Sequence, residues 1–340
     1  MSTSGTGPRE ASFWEAEGEA IRCQLCPHSC LIPDGRTGIC RVRANKGGRL
    51  FALSYAKVTS AHLDPMEKKP LYHFKPGQPV LSFGGVSCNL RCQHCQNYTI
   101  AQVGLDEVPL RTIGPREVPA LCRANSSGGV AWTYNEPTIW YEYMVDASRQ
   151  CKDEGLFTVS VTNGYVQEEP LLQLKGLIDA MNIDVKGFTE TFYETVCKGR
   201  LAPVMRSCEI AKGMGVHLEL TYLIIPTKND RPREIEDFCR WVRDGLGVDT
   251  PVHFSRFHPD YRMEDVPPTP RSTLEMAYST ATAQGLEYVY IGNMPSERGE
   301  NTYCPDCGSL LVRRSGYQVE MTKVEDGRCA ICGRRTDIIW

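Results

Sequence analysis

The chain has 340 residues, 41% apolar and 23% charged, with a formal net charge of −3. That length accommodates one large domain and one or two small modules, and the charge balance predicts neither nucleic acid nor an anionic membrane surface as partner. No window approaches ~18 consecutive apolar residues, so no membrane span is expected, and Met1 to Gly7, small and polar, reads as a frayed tail rather than a secretory signal, which predicts a cytoplasmic protein.

Sixteen cysteines stand out against this composition. With nothing directing export, cytosolic thiols stay reduced, so a disulfide framework is not expected. Eleven cysteines fall into three tight groups: Cys23/Cys26/Cys30/Cys40, Cys88/Cys92/Cys95 and Cys304/Cys307/Cys329/Cys332. Steps of C-x2-C and C-x3-C gather sulfurs round a metal. The other five, Cys122, Cys151, Cys197, Cys208 and Cys239, stand alone and read as buried small apolar residues.

Residues 1–75 form a first module. Between Cys30 and Cys40, Pro33-Asp34-Gly35 and Gly38 give a turn-rich link that folds the chain back round an ion, zinc or an iron–sulfur cluster, with a slight preference for zinc. Arg41 to Lys57 reads as a hairpin turning at Lys46-Gly47-Gly48. Leu63 to Phe74, dense in prolines and aromatics, is expected to lie irregularly across the next domain.

Across residues 76–300, strand-like and helix-like stretches alternate. Strands are predicted over 80–86, 130–133, 157–162, 180–185, 216–225, 252–257 and 288–291. Helices are predicted over 115–124, 137–154, 168–178, 189–214, 232–246 and 270–284, several opened by proline at the first position. Crossover-length helices between strands imply a parallel sheet. Six or seven units, with no glycine-rich dinucleotide fingerprint after the first strand, fit an α/β fold built as a partial or complete (β/α) barrel. In such barrels function collects on loops at the C-terminal strand ends, and the Cys88/Cys92/Cys95 loop follows the first strand.

Residues 301–340 form a third module. Two C-x2-C-Gly knuckles, Cys304/Cys307 and Cys329/Cys332, are separated by 21 residues. Four cysteines at that spacing predict a zinc-ribbon-like site that the module needs in order to fold.

Three thiolates on one loop cap three irons of a cubane cluster and leave the fourth iron open, whereas clusters used only for electron transfer usually have four cysteines. A zinc site completed by His94 or a remote side chain is the other reading. Ser82-Phe83-Gly84-Gly85-Val86-Ser87-Cys88-Asn89-Leu90-Arg91-Cys92-Gln93-His94-Cys95-Gln96-Asn97 closely resembles the cluster loop of radical S-adenosylmethionine (SAM) enzymes. The resemblance implies a 4Fe-4S cluster whose open iron chelates SAM and whose electron cleaves it to methionine and a 5′-deoxyadenosyl radical. In the family the residue before the third cysteine lies against the adenine; here it is His94. Tyr134-Asn135-Glu136-Pro137 stands where the family often has Gly-Gly-Glu, which gives Glu136 the methionine ammonium as ligand, although the glycines are absent. Asn135 as a helix cap is the structural alternative. Thr162-Asn163-Gly164 either faces the ribose or is an ordinary turn. Asp184-Val185-Lys186 is similar to the Asp-x-Lys of glycyl-radical activases, and His258 stands where those enzymes also have a histidine.

The whole chain resembles the radical enzymes of the AmmeMemoRadiSam system, relatives of pyruvate formate-lyase activating enzyme. That implies an electron donor such as flavodoxin or ferredoxin, a small-molecule or protein substrate, and partner proteins of that system. A glycyl-radical activase is a rival reading, weakened by the absence of cysteine between Gln96 and Pro109. A non-enzymatic metal-binding scaffold is the third.

Overall fold

The computed structural model describes residues 8–340, so the reading of residues 1–7 as a tail lies outside the described residues. Its centre is an eight-stranded sheet: β1 (Ser60–Pro65), β2 (Pro79–Gly84), β3 (Gly129–Trp132), β4 (Phe157–Thr162), β5 (Ala180–Asp184), β6 (His217–Ile224), β7 (Val252–Arg256) and β8 (Val289–Gly292). Neighbours in the sheet follow chain order. β1 runs antiparallel to β2, and every other pairing is parallel. β1 and β8 are the two edges, so the barrel is partial.

Side chains alternate across a strand, and here the two faces differ in chemistry. Leu81, Phe83, Trp132, Met181, Ile183, Leu218, Leu220 and Tyr222 join the large apolar core with the crossover helices, among them Tyr141–Asp153, Leu201–Gly213, Pro232–Trp241 and Arg271–Ala283. The intervening residues are polar yet buried: Ser82, Asn182, Glu219, Thr221 and His253. Buried polar groups need partners. Glu219 and Asn182 find them on Met66 to Phe74, which lies along the inner face. Thr221 donates to Asn182, His253 faces Glu219 and Ser82 reaches Val80 O. Glu219 accepts from the amides of Tyr72 (3.0 Å) and His73 (2.7 Å) and faces the rings of His253 (2.6 Å) and His217 (3.0 Å). Asn182 donates to the Pro70 carbonyl (2.7 Å).

That segment corrects one sequence expectation. Leu63 to Pro65 is not irregular but the end of β1, and only the part past the short helical turn Met66–Lys68 crosses without regular structure. The predicted helix over 189–214 is also broken. Glu190–Phe192 runs into a wide turn at Tyr193–Cys197, Lys198 takes a left-handed φ of 62°, and a new helix starts at Leu201. The helix over 168–178 is only Glu168–Leu172.

The predicted hairpin is Arg43–Lys46 against Arg49–Ala52, with Gly47 and Gly48 at φ 62° and 76°, the positive values a two-residue turn needs. No helix among the described residues is long and apolar enough to cross a membrane.

The inner-face network predicts a pH response. Burial pushes His73 down to about 3. Its unfolded value is ~6.5, so the unfolded chain binds the extra proton between about 3 and 6.5, and stability falls as pH drops through that window. Hydrogen bonds from His217 and His253 outweigh the burial that would raise Glu219, hold it well below the usual range and add to the loss below about pH 4.3. Urea midpoints are expected to fall from pH 7 to pH 4, with a flatter dependence in His73→Gln; an equal slope in that variant would assign the effect elsewhere.

Candidate functional site

β2 ends at Gly84, and the cysteine loop that follows is pinned by backbone from two sides. Ser87 N–H donates to Ile100 O (2.7 Å), Arg91 N–H to Cys197 O (2.9 Å) and Gln93 N–H to Val196 O (3.1 Å). The break in the 189–214 helix thus has a purpose: its wide turn presents two carbonyls to the loop. A Cβ at Gly85 would stand 3.0 Å from the Trp140 ring, so close packing requires glycine there.

Cys92 is buried, and Cys88 and Cys95 are half-buried. A tetrahedral zinc site with bonds of about 2.3 Å sets its sulfurs roughly 3.8 Å apart, whereas a cubane spreads its thiolates to roughly 6 Å. Among the described residues, donor atoms within 4.8 Å of one another form two sets: Cys304/Cys307/Cys329/Cys332 and Cys92/His94/Cys197. Cys88 and Cys95 stand outside the second set, as ligands spread round a cubane would. Two buried polar atoms at the loop, Ser87 Oγ and His94 Nδ1, have no protein partner. The loop's donor set, spread and unmatched polar atoms fit a cluster with a bound small molecule.

Glu136 sits in the loop after β3, fully buried. Its Oε1 accepts from Thr138 N–H (2.8 Å) and Thr162 Oγ1 (2.7 Å), and its Oε2 from Asn163 N–H (2.8 Å). It, not Asn135, caps the following turn. Burial raises its carboxyl above the ordinary range, against those hydrogen bonds. Asn163 Nδ2 reaches Cys88 Sγ (3.5 Å) and Asn89 Oδ1 (2.9 Å), which ties the carboxylate to the cysteine loop. Asn135 spans the loop's other side, accepting from Gly85 N–H and donating to Ser87 O, both at 2.9 Å.

Asp184 and Lys186 meet at 3.1 Å. Burial works against the Lys186 ammonium, but Asp184 and the nearby Cys92 and Cys197 sulfurs outweigh it and raise the group well above its usual value. Burial, then the Lys186 charge, holds His94 down to about 3, so its ring is neutral. His258 is exposed, with Nδ1 3.0 Å from Gln96 Nε2, beside Cys95. The Tyr134 hydroxyl binds Asp64, and Lys69 Nζ lies 4.5 Å over the Tyr134 ring. Lys69 also pairs with Asp64 at 2.7 Å, and burial pulls its ammonium down to about 8.

Sequence reasoning missed three participants. Cys197 does not stand alone but lies beside Cys92; only the helix break brings it there. Asp64 arrives on β1, whose strand character the prolines obscured, and Lys69 just after the turn that follows it. At the C-terminus, Cys304 and Cys332 sulfurs are 3.5 Å apart and those of Cys307 and Cys329 3.7 Å, the spacing of one tetrahedral ion.

Residues 84–242 match the family model of the Radical SAM superfamily. A protein of Methanocaldococcus jannaschii of uncharacterised function is 48% identical over 334 residues, covering 97% of this chain and 99% of its own. Pyruvate formate-lyase 1-activating enzyme of Escherichia coli is 24% identical over 202 residues, 55% of this chain and 82% of that one. Among solved structures, a radical SAM methyltransferase from Sphaerobacter thermophilus overlays with a TM-score of 0.48 at 14% identity, covering 68% of this chain and 70% of that chain. The chain belongs to the radical SAM superfamily and is related to its activating enzymes. Membership makes it an enzyme and sets the scaffold reading aside.

Proposed function

We propose that this chain binds a 4Fe-4S cluster through Cys88, Cys92 and Cys95, cleaves SAM reductively, and directs hydrogen abstraction from a substrate at the open barrel mouth. The observation that carries this reading is the connected chain from Cys88 through Asn163 to the buried Glu136. When bound, the cluster supplies the electron that splits the sulfonium bond to give the 5′-deoxyadenosyl radical. The protein's own residues orient and shelter. Glu136 retains one unfilled acceptor position on Oε2 for an ammonium. Asn163 and Thr162 fix that carboxylate; Lys186, held charged by Asp184, offers a cation to a carboxylate or ribose oxygen. Neutral His94 offers an aromatic face to adenine. The Trp140 and Phe192 rings near the loop help exclude water.

Electrons come from a low-potential protein of the flavodoxin or ferredoxin class, in the cytoplasm. The C-terminal cysteines hold zinc. The relatedness to activating enzymes favours a second reading, in which the hydrogen comes from a glycyl residue of a partner protein; the resemblance to AmmeMemoRadiSam enzymes favours a substrate within that system.

Anaerobically reconstituted protein with dithionite is expected to release 5′-deoxyadenosine from SAM, and Cys92→Ala to lose both that product and the loop's iron. Fully loaded wild-type protein that releases none would refute the proposal. A glycyl-radical EPR doublet on a partner protein would decide for the activase reading.

A further inference from the structure

We propose that Cys23, Cys26, Cys30 and Cys40 hold a second 4Fe-4S cluster rather than zinc, placed to pass electrons to the Cys88/Cys92/Cys95 site. The relay role rests on the function proposed above; the identity of the metal does not.

Spacing is the first argument. The molecule contains a compact four-cysteine site for comparison, in which all the sulfurs of Cys304, Cys307, Cys329 and Cys332 lie within 4.8 Å of one another. No three sulfurs of the N-terminal group do so, and in this they match the cysteine loop. Yet the four are not dispersed. They line one cavity, together with Ile32, Ile139 and Arg43. Four thiols round one apolar cavity, wider apart than one tetrahedral ion permits, are the ligand set of a cubane.

The cavity wall is the second argument. Arg43 is 1% exposed; its Nη1 is taken by Glu142 (2.9 Å) and its Nη2 by the Ser12 carbonyl. Its Nε–H is buried with no acceptor in the protein. A buried donor without a partner costs ~1–3 kcal/mol, and sulfides or thiolates of a cluster in the adjoining cavity supply the acceptor. Hydrogen bonds to the sulfurs are also what tune such clusters. The backbone is set in advance: Cys23 N–H donates to Cys30 O (2.9 Å) and Ser29 N–H to Cys26 O (3.0 Å). At Gly38 an added Cβ would crowd Ile32 Cδ1, a wall of the same cavity, at 3.2 Å.

Position is the third argument. The module touches the cysteine loop itself. His28, between Cys26 and Cys30, places Nε2 2.8 Å from Asn89 O, next to Cys88. Arg91 donates from Nη1 to Cys88 O (2.9 Å) and from Nη2 to Ile39 O, next to Cys40. The two ligand sets are therefore joined by one side chain. A single electron from a low-potential flavin or iron–sulfur protein, or from dithionite, reduces the N-terminal cluster. That cluster is reoxidised as the loop cluster is reduced, and no bond is made or broken in the module.

The test removes the loop cluster and asks what remains. Cys88→Ala/Cys92→Ala/Cys95→Ala protein, reconstituted anaerobically with iron and sulfide, is expected to keep about four irons per chain and, when reduced, to give the EPR signal of one 4Fe-4S cluster. Cys26→Ser/Cys30→Ser protein is expected to keep the same count on the other site, which shows that either half loads alone. Zinc in the N-terminal site and no iron in the triple variant would overturn the assignment. In wild-type protein the two reduced clusters are expected to broaden each other's signals; a spectrum equal to the sum of the two variants' would overturn the relay. None of these readouts needs SAM cleavage, so the metal assignment and the proposed function fail separately.

Discussion

Glu136→Ala is expected to weaken SAM binding by about thirtyfold to several thousandfold and to abolish 5′-deoxyadenosine release. In the proposed SAM complex the carboxylate faces an ammonium out of water, and stripping one partner from a buried charge pair costs ~2–5 kcal/mol, where every 1.4 kcal/mol is tenfold in Kd. The alanine variant also orphans three donors, Thr138 N–H, Asn163 N–H and Thr162 Oγ1, so it loses stability and slackens Asn163 against Cys88. Glu136→Gln separates the two effects. Glutamine carries no charge but can keep its oxygen where Thr138 N–H and Thr162 Oγ1 donate and lose only the Asn163 N–H bond. Its melting temperature is therefore expected to fall less than that of Glu136→Ala, while affinity still falls at least tenfold. Titration calorimetry of the iron-loaded proteins measures the affinity, and scanning calorimetry the melting temperature. Wild-type affinity in Glu136→Gln would exclude this carboxylate as the ammonium's partner.

The parallel sheet was legible because its signals are local. Residues 157–162 and 180–185 alternate or run apolar between helical stretches, and the structure returns them as β4 and β5 within a residue. The cysteine loop was legible because its spacing is itself the chemistry. What escaped reading depends on pairing across long separations. Ser60–Pro65 carries histidine, aspartate and proline and looks unlike a strand; it becomes one because β2 supplies an edge to pair with. Lys198 at φ 62° is not written in any glycine, though Gly199 beside it marks the break. That break carries Cys197 to Cys92, so one misread helix concealed one site residue. The polar inner face was hidden for a related reason: Glu219 and His253 look like solvent-facing residues until Met66 to Phe74 covers them.

Arg314→Ala is expected to be the most destabilising change outside the metal sites. Arg314, on the C-terminal strand Leu310–Ser315, and Glu67 stand 247 positions apart, yet both side chains are 0% exposed and meet at 3.5 Å. The guanidinium also donates to Tyr72 O (2.7 Å) and Thr302 Oγ1 (2.8 Å) and lies 4.2 Å over the Tyr72 ring. Burial raises the Glu67 carboxyl, and the Arg314 charge partly offsets it. Removing one member of such a pair leaves the other charge buried and costs about 3–5 kcal/mol. The loss is expected to reach the inner face, because the Tyr72 that Arg314 holds by its carbonyl gives its amide to Glu219. The double variant Arg314→Ala/Glu67→Gln removes the stranded charge and is expected to recover part of the stability, a coupling that urea denaturation of the four proteins of the cycle measures. Strict additivity would show that Arg314 docks the ribbon through Tyr72 alone. Coupling above about 1 kcal/mol would make the buried pair the latch that joins the C-terminal metal ribbon to the segment under the barrel.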